Sequence, residues 1–476
     1  MMNLGISDNL HLFSQELERH LSPLALTQLA KETGFVTRTS KYRAQDLVAL
    51  CVWVSQRIAT TSLNQLCSTL EATTGILMSP EGLNQRFNSA AVRFLQQLVS
   101  LLLQQTRYSS GSIPSEYSGY FSRIRILDST TFQLPDSFAT SYQGTGGCSH
   151  TAGVKIQLEY DLQSGQFIHL HTSHGKENDK TYGSTCLQDI QPKDVFIRDL
   201  GYFCLEDLHT IHEKEAYYIS RLKLNTRVYQ RNENPEYFRD GTLKKKSEYL
   251  SLTMEDIMER LQPGETLEIP DVYIGMHEKL PARLVVYRLT ETQIKKRNKD
   301  QEIREKKKGI TYSERSKKLS ALNFYITNIP TEWVPGIHLH DLYSLRWQIE
   351  ILFKTWKSFF QIHHCKEIKI ERLQCHLYGQ LIGILLCSST MFQMRQLLWR
   401  KKRELSEYKA FYMIKDYMPI LHQAIQKNTQ AISKILSRLF HLLEKNGRKS
   451  HRYEKKTVFD ILGVVYEYTT STKKVA

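Results

Sequence analysis

Arg123-Ile-Arg-Ile-Leu-Asp128 and Asp194-Val-Phe-Ile-Arg-Asp199 are two short runs that each read as a β-strand closing on an aspartate. In the first, apolar side chains alternate with arginines, the period-two pattern of a half-buried strand. Between the two runs, Val154, Ile156, Leu158, Tyr160 and Leu162 alternate again, Gln163-Ser-Gly165 supplies a turn, and residues 167–172 give the return strand. A helix is expected over 181–190 and another over 205–214, after Leu200-Gly201-Tyr202. Ala216-Tyr-Tyr-Ile-Ser220 is a fifth strand.

Three strands in meander, a helix, a strand, a helix and a strand is the element order of a ribonuclease H-like fold, an α/β architecture with a mixed sheet flanked by helices. Upstream, residues 1–107 carry helical signals and form an expected DNA-binding region. Ser22-Pro23 opens a segment closed by Gly34, Leu47, Leu50, Cys51, Val54 and Ile58 have helical spacing, and Ser79-Pro80-Glu81 is a capped start. Residues 62–70, the loop Thr73-Thr74-Gly75 and residues 79–95 fit a helix-turn-helix with Asn84, Gln85, Arg86 and Asn88 toward a groove. They fit an ordinary helical hairpin equally, since the turn is longer than the usual three or four residues. Tyr108-Ser-Ser-Gly-Ser-Ile-Pro114 is a polar linker.

Downstream, residues 226–337 are expected to form a mainly β insertion domain, with strands at Val272-Tyr-Ile274, Arg283-Leu-Val-Val-Tyr287 and Asn323-Phe-Tyr-Ile-Thr327. The insertion would interrupt a catalytic core made of 115–225 and 338–400. Within it, residues 291–319 are densely cationic, a solvated helix with enough excess charge to meet phosphates. Residues 401–476 return to helical period, with Ile432, Ile435, Leu436, Leu439 and Leu443 on one face, a stop at Asn446-Gly447, and a basic patch at Lys445, Arg448, Lys449, Arg452, Lys455 and Lys456. That apolar face serves either core packing or a dimer contact.

Asp341-Leu-Tyr-Ser-Leu-Arg-Trp-Gln-Ile-Glu-Ile-Leu-Phe-Lys-Thr-Trp-Lys-Ser-Phe-Phe360 reads as one amphipathic helix. At about 100° per residue Tyr343, Arg346, Glu350 and Lys357 fall within about 60° of one another, beside an apolar stripe of Leu345, Ile349, Leu352, Trp356 and Phe359. Taken alone, such a face is also that of a solvated helix laced with i,i+4 ion pairs. The spacing of Tyr343, Arg346, Glu350 and Lys357, however, resembles the YREK signature of the insertion-sequence-four (IS-four) family of bacterial transposases.

That resemblance implies a DNA transposase whose glutamate closes an Asp-Asp-Glu metal triad and whose tyrosine, arginine and lysine hold DNA beside the cut. Carried onto this chain, Asp128, Asp199 and Glu350 are the expected catalytic and metal-binding residues, and Tyr343, Arg346 and Lys357 the expected DNA contacts. Asp199-Leu-Gly-Tyr resembles the family's second catalytic block. Carboxylate oxygens suit Mg²⁺ or Mn²⁺, and two ions could activate the attacking oxygen and stabilise the leaving one. The implied reaction is cut-and-paste transposition, cleavage at the element's ends followed by 3′-hydroxyl strand transfer. The implied partners are double-stranded DNA, as terminal inverted repeats and target, and a second copy of the chain in a homodimer. The chain departs from relatives that stack a flipped base on a tryptophan at the start of the strand leading to YREK, where it has Asn323. Tyr325 shares that face by strand alternation and is the expected stacking residue, with Phe324 in the core.

Composition agrees. The 476 residues carry 41% hydrophobic and 24% charged side chains, ordinary for a globular protein, and a formal net charge of +15, which fits a polyanionic partner. Leu381-Ile-Gly-Ile-Leu-Leu-Cys387, the longest strongly apolar run, is shorter than the roughly 20 residues that span a bilayer, so no membrane partner is expected. The start lacks an export signal and the eight scattered cysteines lack a CxxC pair, both consistent with the bacterial cytoplasm and association with its nucleoid. Two other readings are a transposase-derived DNA-binding protein without the reaction and a nuclease that cuts without joining. The first predicts a lost carboxylate, whereas all three are present.

Overall fold

The computed structural model describes residues 5–38, 41–54, 57–104, 115–146, 151–449 and 456–464. The linker at 108–114, Cys148, Arg452 and Lys455 lie outside the described residues. The architecture is mixed α/β, and the chain divides into two compact units. One comprises residues 1–116, 129–177 and 348–476, the other 117–128 and 178–347.

Ten strands are described: β1 (Arg123–Gln133), β2 (Gly153–Asp161), β3 (Phe167–His174), β4 (Asp194–Arg198), β5 (Tyr217–Arg221), β6 (Val228–Arg231), β7 (Tyr249–Leu252), β8 (Thr266–Ile274), β9 (Leu280–Arg288) and β10 (Leu322–Thr327). In the second unit the order across the sheet is β1-β4-β5-β10-β9-β8-β6-β7. Pairing is parallel from β1 to β5 and antiparallel beyond, beginning with Tyr325 opposite Arg221. The strands of 226–337 therefore extend the sheet that begins at β1. The cause is that β10 is buried at every position: Phe324 and Ile326 fill the same apolar core as Phe196, Tyr218, Leu284 and Val286, and an interior strand needs pairing partners on both edges.

The first unit is mostly helical. β2 and β3 form its hairpin, with Leu158 opposite Leu170. The expected helix over 79–95 is two helices, Pro80–Arg86 and Ser89–Leu103, because the Asn88 side chain accepts from the Ala90 and Ala91 amides and starts the second one. Asn88 is therefore a helix cap. The 31-residue helix Ile370–Arg400 runs through this unit. It packs on the helix Ser89–Leu103 and on the π-helical turn Ala49–Val54, where a Cβ on Gly379 would stand 2.8 Å from Cys51. Its buried Arg372 and Arg395 donate to the carbonyls of Ile58 and Leu162 at 2.8 and 2.7 Å. By length and composition this helix could cross a membrane, yet 83% of its most apolar stretch is buried within the protein. The apolar face of the helix Thr429–Asn446 is likewise buried, through Ile432, Leu436, Leu439 and Leu443, in packing with the helices Ile6–Leu21 and Glu407–Ile425. Core packing accounts for it.

His376, on the same long helix, is fully buried and its imidazole is held down to about 4, first by burial and against the opposing effect of a hydrogen bond with the backbone of Ile362. An unfolded chain takes up this proton below about pH 6.5 while the folded one stays neutral, so the unfolded state binds more protons and stability falls with acidification over that window. Wild-type protein should lose about 2 kcal/mol more than a His376→Gln variant between pH 7 and 5. Urea denaturation at the two pH values measures the difference, and identical losses would remove His376 as the cause.

Candidate active site

β1 and β4 are parallel, with Leu127 beside Arg198, so Asp128 and Asp199 are the next neighbours in register, about 4.8 Å from strand to strand. Asp199 follows the end of β4 and precedes the 3₁₀ turn Leu200–Tyr202. Asp128 does not end its strand as expected. β1 continues to Gln133, because Thr130, Thr131 and Phe132 are residue types that favour extended backbone.

Arg346 joins the two carboxylates. Its Nη1 donates to Asp128 Oδ2 at 2.9 Å and its Nε stands 3.9 Å from Asp199 Oδ1. The arginine side chain is only 9% exposed, against 18% for Asp128 and 46% for Asp199, so the pair of acids opens outward over a buried cation. The guanidinium also lies 5.0 Å from the ring of Trp347, itself exposed.

The single helix expected over 341–360 is three pieces. Gly336–Ser344 ends in a tight turn at Leu345 and Arg346, Trp347–Thr355 follows, and a π-helical turn occupies Trp356–Phe360. The chain has neither glycine nor proline at the first break, so periodicity gives no signal for it. The break lets Arg346 leave the helical line and reach the strand ends. Glu350 sits in the first turn of Trp347–Thr355, where the positive end of the helix dipole favours a carboxylate. Lys357 lies in the π turn and donates to the Thr131 carbonyl at 3.2 Å, and burial holds its ammonium below the usual lysine value.

Two expected DNA contacts are interior residues. Tyr343 is buried, its hydroxyl pointing at the Arg198 carbonyl 3.5 Å away, and its phenol is pushed up to about 12 by burial and then by the Asp199 carboxylate. Tyr325, expected to stack a flipped base, is 2% exposed. Its hydroxyl lies 2.7 Å from His340 Nδ1, and its ring packs against those of His340 and Tyr343. Burial overrides the alternation argument: both faces of β10 are covered, so neither Tyr325 nor Phe324 presents a free ring. Asn323 is equally enclosed, accepting from Arg297 at 3.1 Å.

Several known proteins resemble this chain. Residues 119–386 match the family model described as "Transposase DDE domain". The transposase for insertion sequence element IS231E of Bacillus thuringiensis subsp. finitimus is 60% identical over 474 residues, covering 99% of each chain. The transposase for insertion sequence element IS1151 of Clostridium perfringens is 33% identical over 461 residues, 97% of this chain and 98% of the other. A solved piggyBac transposase synaptic complex with hairpin DNA aligns with 96% of this chain and 88% of its own at 10% identity, with a TM-score of 0.43.

Removing the cation between two adjacent carboxylates leaves them mutually repulsive and partly buried. Arg346→Ala should therefore lower the urea midpoint by an amount equivalent to about 1–3 kcal/mol, with Arg346→Lys recovering part of the loss. A midpoint unchanged in the alanine variant would show that solvent already screens the pair.

Proposed function

Because the chain belongs to the DDE transposases of bacterial insertion sequences, enzymes that act on DNA, we propose that Asp128, Asp199 and Glu350 are its catalytic carboxylates and that it performs cut-and-paste transposition. The observation that carries this reading is the pair of aspartates, neighbours in register on parallel strands and converging on one guanidinium. Their oxygens already meet a positive charge, and an all-oxygen donor set is the one that Mg²⁺ or Mn²⁺ takes. Asp128, Asp199 and Glu350 would hold the metal. When bound, such ions polarise a phosphodiester, activate the attacking oxygen and stabilise the leaving one.

The chain's own residues then have separable tasks. Arg346 balances the charge of the aspartates from beneath and would add its positive charge to the attraction of a scissile phosphate brought to them. Lys357 adds a point charge beside the β1 backbone for the neighbouring phosphate. Tyr343 and Tyr325, being interior, hold the Gly336–Ser344 helix against β10 and position Arg346 without touching the DNA themselves. Hydrolysis of the phosphodiester at each end would free a 3′-hydroxyl, and attack of that hydroxyl on a target phosphorus would form the new P–O bond while the target's own P–O3′ bond breaks and releases its 3′-hydroxyl. Residues 115–225 and 338–400 would form the catalytic core, 226–337 the inserted segment, 1–107 the region that recognises terminal repeats, and 401–476 a helical C-terminal region. Its place of work is the cytoplasm, where its DNA partner is.

Asp128→Ala, Asp199→Ala and Glu350→Ala should each lower Mg²⁺-dependent cleavage of end DNA by more than about a thousandfold, since several kcal/mol of charge stabilisation go with the metal. Binding to the same DNA should stay nearly intact. The check is a denaturing gel of end-labelled substrate beside a mobility-shift titration, and an Asp199→Ala enzyme that cuts at a wild-type rate would sink the assignment. Strand-transfer products from pre-cut ends would separate this reading from a nuclease that cuts without joining.

A further inference from the structure

The helix Glu291–Lys308 has no buried residue and carries eight lysines and arginines. Its attachment is nonetheless specific. Ile294, Arg297, Gln301 and Glu305, spaced three and four apart, are the half-buried positions and define its inner face. Arg297 ties that face to β10, donating to the Ser320 carbonyl at 2.7 Å and to Asn323 at 3.1 Å. Glu305 is occupied on the inner side too, accepting from the Tyr312 amide at 2.7 Å and meeting Lys317 at 3.3 Å.

The outer face is mostly cationic by contrast, with the exposed Thr292 and Ile303 lying among its lysines. At about 100° per residue, Lys295, Lys296, Lys299, Lys306 and Lys307 fall within an arc of about 120° that contains no carboxylate. All five are exposed, and among the described residues none makes a hydrogen bond or an ion pair. Lys295 and Lys299 stand four apart and Lys296 and Lys299 three apart, spacings at which like charges destabilise a helix. Glu291, Asp300 and Glu302 stand four residues from Lys295, Lys296 and Lys306 and offset part of this repulsion, and a row of phosphates would relieve the rest.

We propose that this lysine arc is a docking surface for the phosphate backbone of double-stranded DNA, independent of base sequence. The inference rests on the transposase reading above and adds to it a DNA contact on an element other than those that carry Asp128 and Asp199. From Lys295 to Lys307 the arc is about 18 Å long, enough to bridge a major groove about 12 Å wide. An anionic membrane surface is the competing polyanion, but a helix that lies on lipid needs a broad apolar face opposite its charges. Here Ile303 is the one large apolar side chain exposed on the helix.

The test uses the full chain with Lys295→Gln, Lys299→Gln and Lys306→Gln combined, and as a control Arg304→Gln with Lys308→Gln, which removes cations outside the arc. Binding to a fluorescein-labelled duplex of unrelated sequence is followed by anisotropy from about 50 to 200 mM salt. With an unchanged melting temperature, the triple variant should flatten the logarithmic salt slope by about two to three and the control by less than one. A slope unchanged in the triple variant overturns the proposal, and so does an equal effect of the control, which would make net charge sufficient. Loss of binding to phosphatidylserine vesicles with an unchanged slope on the duplex overturns it in favour of lipid. Cleavage of end DNA by the wild type is scored separately. A protein that cuts while the triple variant keeps its slope loses only the lysine arc, and one whose arc behaves as expected but never cuts loses only the catalytic reading.

Discussion

Two carboxylates held on neighbouring parallel strands repel each other, by about 3 kcal/mol at 4.8 Å and an effective dielectric of about 20. In this protein Arg346 answers that repulsion, and much of the surrounding structure exists to keep it there. The arginine comes from a turn between two short helices, Gly336–Ser344 and Trp347–Thr355. The first of these is anchored by Tyr343 and by the His340 contact with Tyr325, so that β10, a strand from late in the chain, fixes the height at which the guanidinium meets the acids. An aspartate pair neutralised from below and open above is suited to a reaction at phosphorus, since negative charge arrives from the solvent side with the substrate.

The helical unit solves a different problem. Its longest helix buries two arginines and a histidine along with its leucines, and buried polar groups are tolerated only where partners meet them. Arg372 and Arg395 cap carbonyls of distant segments, and Arg395 also pairs with Glu407 at 3.2 Å. The result is a helix whose composition would suit a lipid bilayer and whose polar contacts tie it to a protein interior. Gly379 adds the close approach to the turn Ala49–Val54 that a larger residue would prevent.

The inserted strands show how a sheet can grow late in a sequence. β10 returns to pair antiparallel with β5, and β9, β8, β6 and β7 follow outward. The cationic helix Glu291–Lys308 sits in the connection between β9 and β10, so it is carried by two strands of a rigid sheet, and its Arg297 is bonded to β10 itself. A charged element placed on such a support holds its lysines in a fixed row, which a free loop could not do.

The sequence by itself determined the periodic elements and the residue types of the site. Alternation located β1 and β2, short apolar runs located β4 and β5, the Ser-Pro pairs marked helix starts at Pro23 and Pro80, and the resemblance carried by the Tyr343, Arg346, Glu350 and Lys357 spacing implied DNA transposition. These features are local, set by side-chain period and capping chemistry within a few residues. Only the tertiary structure decided the rest: that β1 runs on past Asp128, that the 341–360 segment breaks at Arg346, that Asn88 is a cap, and that Tyr325 is buried. Alternation says which residues share a face of a strand, but whether that face meets solvent depends on what packs over it. For Tyr325 the covering groups, His340 and Tyr343, come from a helix that the strand pattern does not contain.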